Sequence, residues 1–85
     1  MQVKSRYRIS IDTYPRVQAF VKSIEQVKGN VVLVGNDGDT ECRVNGRSII
    51  GSMYAMIFRD LWCESDIDIY PYIKDFVINE SESGK

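Results

Sequence analysis

The chain carries few side chains able to do chemistry. It contains no histidine in 85 residues, so neither a Ser-His-Asp nor a Cys-His arrangement can be assembled. The side chain that titrates near neutral pH is also missing. Cys42 and Cys63 stand far apart without CxxC spacing. A structural zinc site takes about four Cys or His ligands, so no metal is expected, and no motif calls for a cofactor. Both cysteines read as small buried hydrophobes. Asp12, Asp37, Asp39, Asp66 and Asp68 lack the spacing and closing glutamate of a calcium loop. Gly35-Asn36-Asp37-Gly38 reads as a hairpin turn rather than a phosphate loop. An enzyme is therefore the least expected class. Ser48, which Arg47 precedes and Ile49-Ile50-Gly51-Ser52-Met53 follows, stands where a helix would start. A serine here caps a helix by accepting a first-turn N–H. The same place would tolerate a phosphate, because exposed N–H groups and the positive dipole end face it, and Arg47 could pair with it.

Four other groups have a functional reading beside a plain one. Arg16, with Thr13 and Tyr14, lies near a helix start, where it either binds an anion or partner or is simply solvated. Ile49, Ile50 and Met53 fall on adjoining turns. Ile49 and Ile50 are about 100° apart on a helix, so at least one of them is expected at the surface, where an apolar patch marks a protein interface. Leu61-Trp62 is a second patch or a core cap. Lys4, Arg6 and Arg8 share one face of a strand, with Tyr7 on the other. A sheet that reads nucleic acid needs aromatic residues on the basic face, and none is expected there, so nucleic acid is not an expected partner.

The elements that must position these residues follow from periodicity. Val3, Ser5, Tyr7, Ile9 and Ile11 alternate with Lys4, Arg6, Arg8 and Ser10, which predicts a strand with one buried face. Pro15 suits the first turn of a helix. Val17, Phe20, Val21, Ile24 and Val27 then form a helical apolar stripe that Gly29 closes. Val31-Val32-Leu33-Val34 predicts a strand, Asn36-Asp37-Gly38-Asp39 a turn, and Thr40, Cys42 and Val44 the returning strand. A helix follows from Ser48. Ile67 and Ile69 predict a fourth strand, which Pro71 ends, and Ile73, Phe76 and Val77 predict a short last helix. The order β-α-β-β-α-β-α implies an α+β fold: an open-faced two-layer sandwich, a four-stranded, mainly antiparallel sheet with helices on one face.

The length gives one domain, residues 1–80, with the polar segment 81–85 a disordered tail. A formal net charge of −1 offers no bulk attraction to nucleic acid or an anionic membrane. No run approaches the roughly 20 apolar residues of a membrane span. The polar, basic N-terminus is no signal peptide, so the cytoplasm is the expected location.

Val44-Asn45-Gly46-Arg47-Ser48-Ile49-Ile50-Gly51-Ser52-Met53 resembles the start of the second helix of HPr, the phosphocarrier of the bacterial sugar phosphotransferase system. Ile67-Asp68-Ile69-Tyr70 is similar to that family's Ile-Thr-Ile strand, and the order of elements is the family's. HPr carries its phosphoryl group on a histidine in Gly-Ile-His-Ala-Arg-Pro-Ala. Here the matching loop is Asp12-Thr13-Tyr14-Pro15-Arg16-Val17, which puts Tyr14 or, with a one-residue shift, Thr13 at the histidine position. Neither is an imidazole, so the carrier role is not expected. The resemblance implies a non-catalytic regulatory or adaptor protein, like the HPr paralogue with Gln for His. Ser48 would be its phosphorylation site. Ile49, Ile50 and Met53, with Arg16 and Arg47, would hold a protein partner such as the kinase or a transcription regulator. The alternative is a protein-interaction or self-association module, the latter a homodimer, with Ser48 never modified and Ile49, Leu61 and Trp62 as its interface. Phe58 to Ser65 reads as an insertion relative to the family.

Overall fold

The structure, a computed structural model, describes residues 2–78; the segment 81–85 expected as a tail lies outside the described residues. The elements run β1 (Ser5–Arg8), α1 (Tyr14–Ser23), β2 (Val31–Asp37), β3 (Thr40–Asn45), α2 (Ile49–Ala55), β4 (Arg59–Ser65), α3 (Tyr70–Ile73) and a 3₁₀ turn, Lys74–Phe76. The four strands form one sheet in the order β1-β4-β2-β3, every pair antiparallel. This is the expected α+β sandwich. Among the described residues no helix is long and apolar enough to cross a membrane.

The register sorts the side chains onto two faces, because successive residues of a strand alternate. One row across the sheet is Tyr7, Cys63, Leu33 and Val44. The helices cover this side. Val17, Phe20 and Ile24 of the α1 stripe join Leu33, Cys63, Ala55, Ile69, Ile73 and Phe76 in the core. Phe20 meets Phe76 edge-on at 5.3 Å between ring centroids. The opposite, open face shows Arg8, Trp62, Val34 and Arg43 in one row, and Arg6, Glu64, Val32 and Asn45 in the next.

The fourth strand is not where alternation placed it. Ile67 and Ile69 lie in a loop. Ser5 Oγ donates to the Ile67 carbonyl at 2.5 Å, and Ser65 Oγ accepts the Ile67 N–H at 3.2 Å. These hydroxyls supply the partners a ladder would have given. The segment expected as an insertion supplies β4, which sits in the middle of the sheet. Its buried polar residues, Glu64 and Ser65, are paired rather than solvated. Glu64 is 7% exposed and accepts from Arg6 at 2.9 Å and Arg43 at 2.6 Å, one from each side. That pairing hides a central strand inside Arg59-Asp60-Leu61-Trp62-Cys63-Glu64-Ser65.

Smaller differences have similar causes. Gly35 belongs to β2, and the turn is Gly38-Asp39 alone. The helical stripe runs past the end of α1: Ile24 and Val27, its last apolar residues, are buried beyond the helix. Asp66 accepts the Asn30 main-chain N–H at 2.8 Å and its side-chain amide at 2.9 Å. The Asn30 N–H is the main influence holding its carboxyl below the usual aspartate value.

Candidate functional site

The start of α2 is built from the turn that leaves β3. Asn45 accepts the Ser48 N–H on its carbonyl at 3.1 Å and the Arg47 N–H on its side-chain oxygen at 2.9 Å. Ser48 has the extended backbone of an N-cap, and its Oγ accepts the Gly51 N–H at 3.0 Å. Its carbonyl takes the Ser52 N–H at 2.8 Å, while the buried Ser52 hydroxyl donates back to the Gly46 carbonyl at 3.2 Å. Gly51 has a purpose that propensity conceals. A Cβ there would stand 3.0 Å from the Asn45 carbonyl oxygen, closer than ordinary van der Waals contact.

Only Ser52 and Ala55 of α2 are buried. The rest of its surface is apolar and open: Ile50 is 81% exposed and Ile57, just past the helix, 61%, with Ile49, Met53 and Tyr54 also exposed. Spacings of three and four residues put Ile50, Met53, Tyr54 and Ile57 on one stripe. Both Ile49 and Ile50 therefore face solvent in a single apolar row beginning beside the part-exposed Ser48. Tyr54 and Ile57, which lie outside the expected patch of Ile49, Ile50 and Met53, extend the row; their helical spacing from Ile50 was the available signal. Tyr54 also fastens α2 to the β2–β3 turn. Its hydroxyl donates to Asp37 at 2.8 Å, and that hydrogen bond is the main cause pushing the phenol up to about 12.

Arg47 does not face the serine beside it. Its guanidinium donates to the carbonyls of Ile24 at 3.2 Å, Val27, and Gly29 at 2.6 Å. It thus satisfies acceptors at the C-terminal end of the first helical segment, where a cation also suits the dipole. A phosphate on Ser48 would have to compete with those bonds for Arg47.

Arg16 is similarly engaged, although its side chain remains 40% exposed. It donates to the carbonyls of Ser10 at 3.1 Å and Asp75 at 3.4 Å, lies over the Phe76 ring at 4.8 Å, and pairs loosely with Asp12 at 3.9 Å. It ties the end of the first strand to the 3₁₀ turn. Thr13 is the N-cap of α1, accepting the Arg16 N–H at 3.3 Å. Tyr14 is the exposed first residue of that helix.

Leu61 and Trp62 do not make one patch. Leu61 is buried at 6% on the core side, and Trp62 lies on the open face. There Arg6 stacks on Trp62 at 3.9 Å and Arg8 lies 5.8 Å from its ring. The basic face of β1 thus has an aromatic neighbour from another strand, which reading β1 alone could not supply. The ring is covered by Arg6, and Glu64 and Asp60 neutralise the arginines. Of the cysteines, Cys63 is buried, and burial pushes its thiol up to about 12. Cys42 is only half-buried, contrary to expectation. Among the described residues no group of three or more His, Cys, Asp or Glu could hold a metal ion. Compared with protein-family models, curated proteins and solved structures, the chain matches none.

Proposed function

We propose that this chain is a non-catalytic regulatory or adaptor module of the HPr-like kind, working in a bacterial cytoplasm. It presents α2 to a protein partner and is switched by phosphorylation of Ser48. One observation carries the reading: an exposed apolar row, Ile49, Ile50, Met53, Tyr54 and Ile57, begins beside a part-exposed N-cap serine. An exposed apolar patch of this kind suits a protein interface. Interfaces of that sort depend on a few anchors, and Ile50, the most exposed of the row, is the first choice. A phosphate on Ser48 would add about −1.5 to −2 charge at the edge of the row and so change which partner fits. The partner in this reading is a transcription regulator of the phosphotransferase type, and the modifying enzyme a serine kinase of the same system. Arg47 and Arg16 hold the scaffold rather than the partner.

The test is binding of the Ser48-phosphorylated protein to such a regulator, measured by fluorescence anisotropy beside Ile50→Asp. The substitution should weaken binding at least about tenfold, the scale of an interface anchor worth more than 1 kcal/mol. Stability should stay within about 0.5 kcal/mol, as for an ordinary surface position. Equal binding by wild type and Ile50→Asp would remove α2 as the docking face.

A further inference from the structure

The outer side of β3 is an unused edge. β3 ends the sheet, and among the described residues no strand pairs with its far side. Sheet edges are commonly blunted by proline, a bulge or charged side chains, lysine especially. Thr40-Glu41-Cys42-Arg43-Val44-Asn45 has no proline or lysine, and its two charges, Glu41 and Arg43, are opposite in sign; its register with β2 is unbroken from Asn45 to Thr40.

The hairpin fixes which main-chain groups are free. The turn is Gly38-Asp39, with Gly38 at φ +64° and Asp37 opposite Thr40. A positive φ at the first central residue fits a type II′ turn, and the pair closing such a two-residue hairpin exchanges hydrogen bonds. Beyond it, bonded and non-bonded pairs alternate. Thr40, Cys42 and Val44 therefore direct their main-chain groups at β2. Glu41 and Arg43 direct theirs outward. The side chains of these two share the open face, where Arg43 lies 3.5 Å from Glu41.

We infer that this edge pairs with the β3 of a second copy of the chain, antiparallel, about a two-fold axis at Cys42. Charge selects the register. Centring the pair on Glu41 sets carboxylate against carboxylate, and centring it on Arg43 sets guanidinium against guanidinium. Like charges directly opposite are destabilising. Centring on Cys42 sets Glu41 of each copy opposite Arg43 of the other. Both of those residues have outward main-chain groups, so each such pair exchanges two hydrogen bonds as well as matching charge. The contact is isologous and closes on itself, joining two four-stranded sheets into one. Cys42 then faces its own counterpart in a non-bonded pair, with Cα atoms about 4.5 Å apart, within the span a disulfide bridges. This inference does not rest on the α2 reading, although α2 packs across β2 and β3 and its Tyr54 hydroxyl lies 4.0 Å from Cys42 Sγ.

The experiment is sedimentation velocity of the full chain over a concentration series, beside Glu41→Arg, with mild copper–phenanthroline oxidation of the same samples. Glu41 is exposed, so the variant keeps its fold. A concentration-dependent dimer is expected, with a dissociation constant raised about tenfold by Glu41→Arg, since two attractive cross-strand pairs become repulsive. Oxidation should link two chains through Cys42, absent in Cys42→Ser, while the buried Cys63 stays unlinked. A monomer at every concentration overturns the inference. So does a dimer indifferent to Glu41→Arg that yields no Cys42 cross-link.

Discussion

Arg47 is the residue on which the candidate site most depends, and it acts as scaffold. Its donors meet three carbonyls at Ile24, Val27 and Gly29, fixing the end of the first helical segment against the start of α2. Truncation leaves those acceptors without their charged donor. Arg47→Ala should therefore cost about 2–3 kcal/mol in urea denaturation, the scale of hydrogen bonds from a charged group plus desolvated acceptors. Arg47→Lys should restore only part, because an ammonium cannot fork across carbonyls set apart in space. Full stability in Arg47→Ala would show these contacts to be incidental. Nothing in the sequence marked this role. Arg47 reaches residues 18 to 23 positions away, a separation that no local pattern encodes.

Among the elements, α2 is where local and tertiary demands disagree. A glycine inside a helix costs about 1 kcal/mol relative to alanine, and Gly51→Ala should stabilise α2 if propensity decided. The close approach of the Asn45 carbonyl decides instead. Gly51→Ala should lower the melting temperature, whereas a rise of several degrees would mean that the Asn45 turn yields freely. Elements with one partner face were legible. The α1 stripe and the Ser48 cap announce themselves through spacing and a capping hydroxyl, and the β2–β3 hairpin through its turn. β4 was not legible, because a central strand has neighbours on both sides and its polarity is cancelled by partners from elsewhere. Glu64 looks solvent-bound until Arg6 and Arg43 are brought to it. The loop of Ile67 and Ile69 shows the converse: period-2 alternation without a ladder, its main chain held by Ser5 and Ser65. The stretch of family resemblance around Ile67 thus lies in a loop, while the stretch around Ser48 does begin a helix. Trp62, read as either a surface patch or a core cap, stayed undecided for the same reason as β4, since its face is defined only once β1 lies beside it.

At the scale of the whole molecule, the chain has ends and layers held by polar contacts around a thin core. Asp66 joins the loop after β4 to the start of β2 through Asn30, which lowers its pKa. A group whose folded pKa lies below its unfolded value stabilises the fold above the unfolded value, and that contribution is lost as pH falls toward the folded one. Asp66 should therefore contribute fully at neutral pH and lose its contribution below about pH 4, the ordinary aspartate value. Acid unfolding followed by circular dichroism should show a shallower loss of stability in Asp66→Asn than in wild type. An unchanged acid limb would assign the sensitivity to other carboxylates. The two proposals use different surfaces: the exposed apolar row of α2 for a partner, and the unpaired edge of β3 for a second copy.

The central claim is that the serine capping α2 is a switch beside a docking face. Its most direct test is the intact mass of the purified protein after incubation with ATP and an HPr serine kinase, beside Ser48→Ala. That substitution removes a cap worth about 1 kcal/mol, which leaves the fold available for the comparison. The account predicts a gain of one phosphate in wild type and none in Ser48→Ala. No gain in wild type, from a kinase that modifies ordinary HPr in the same tube, would contradict it.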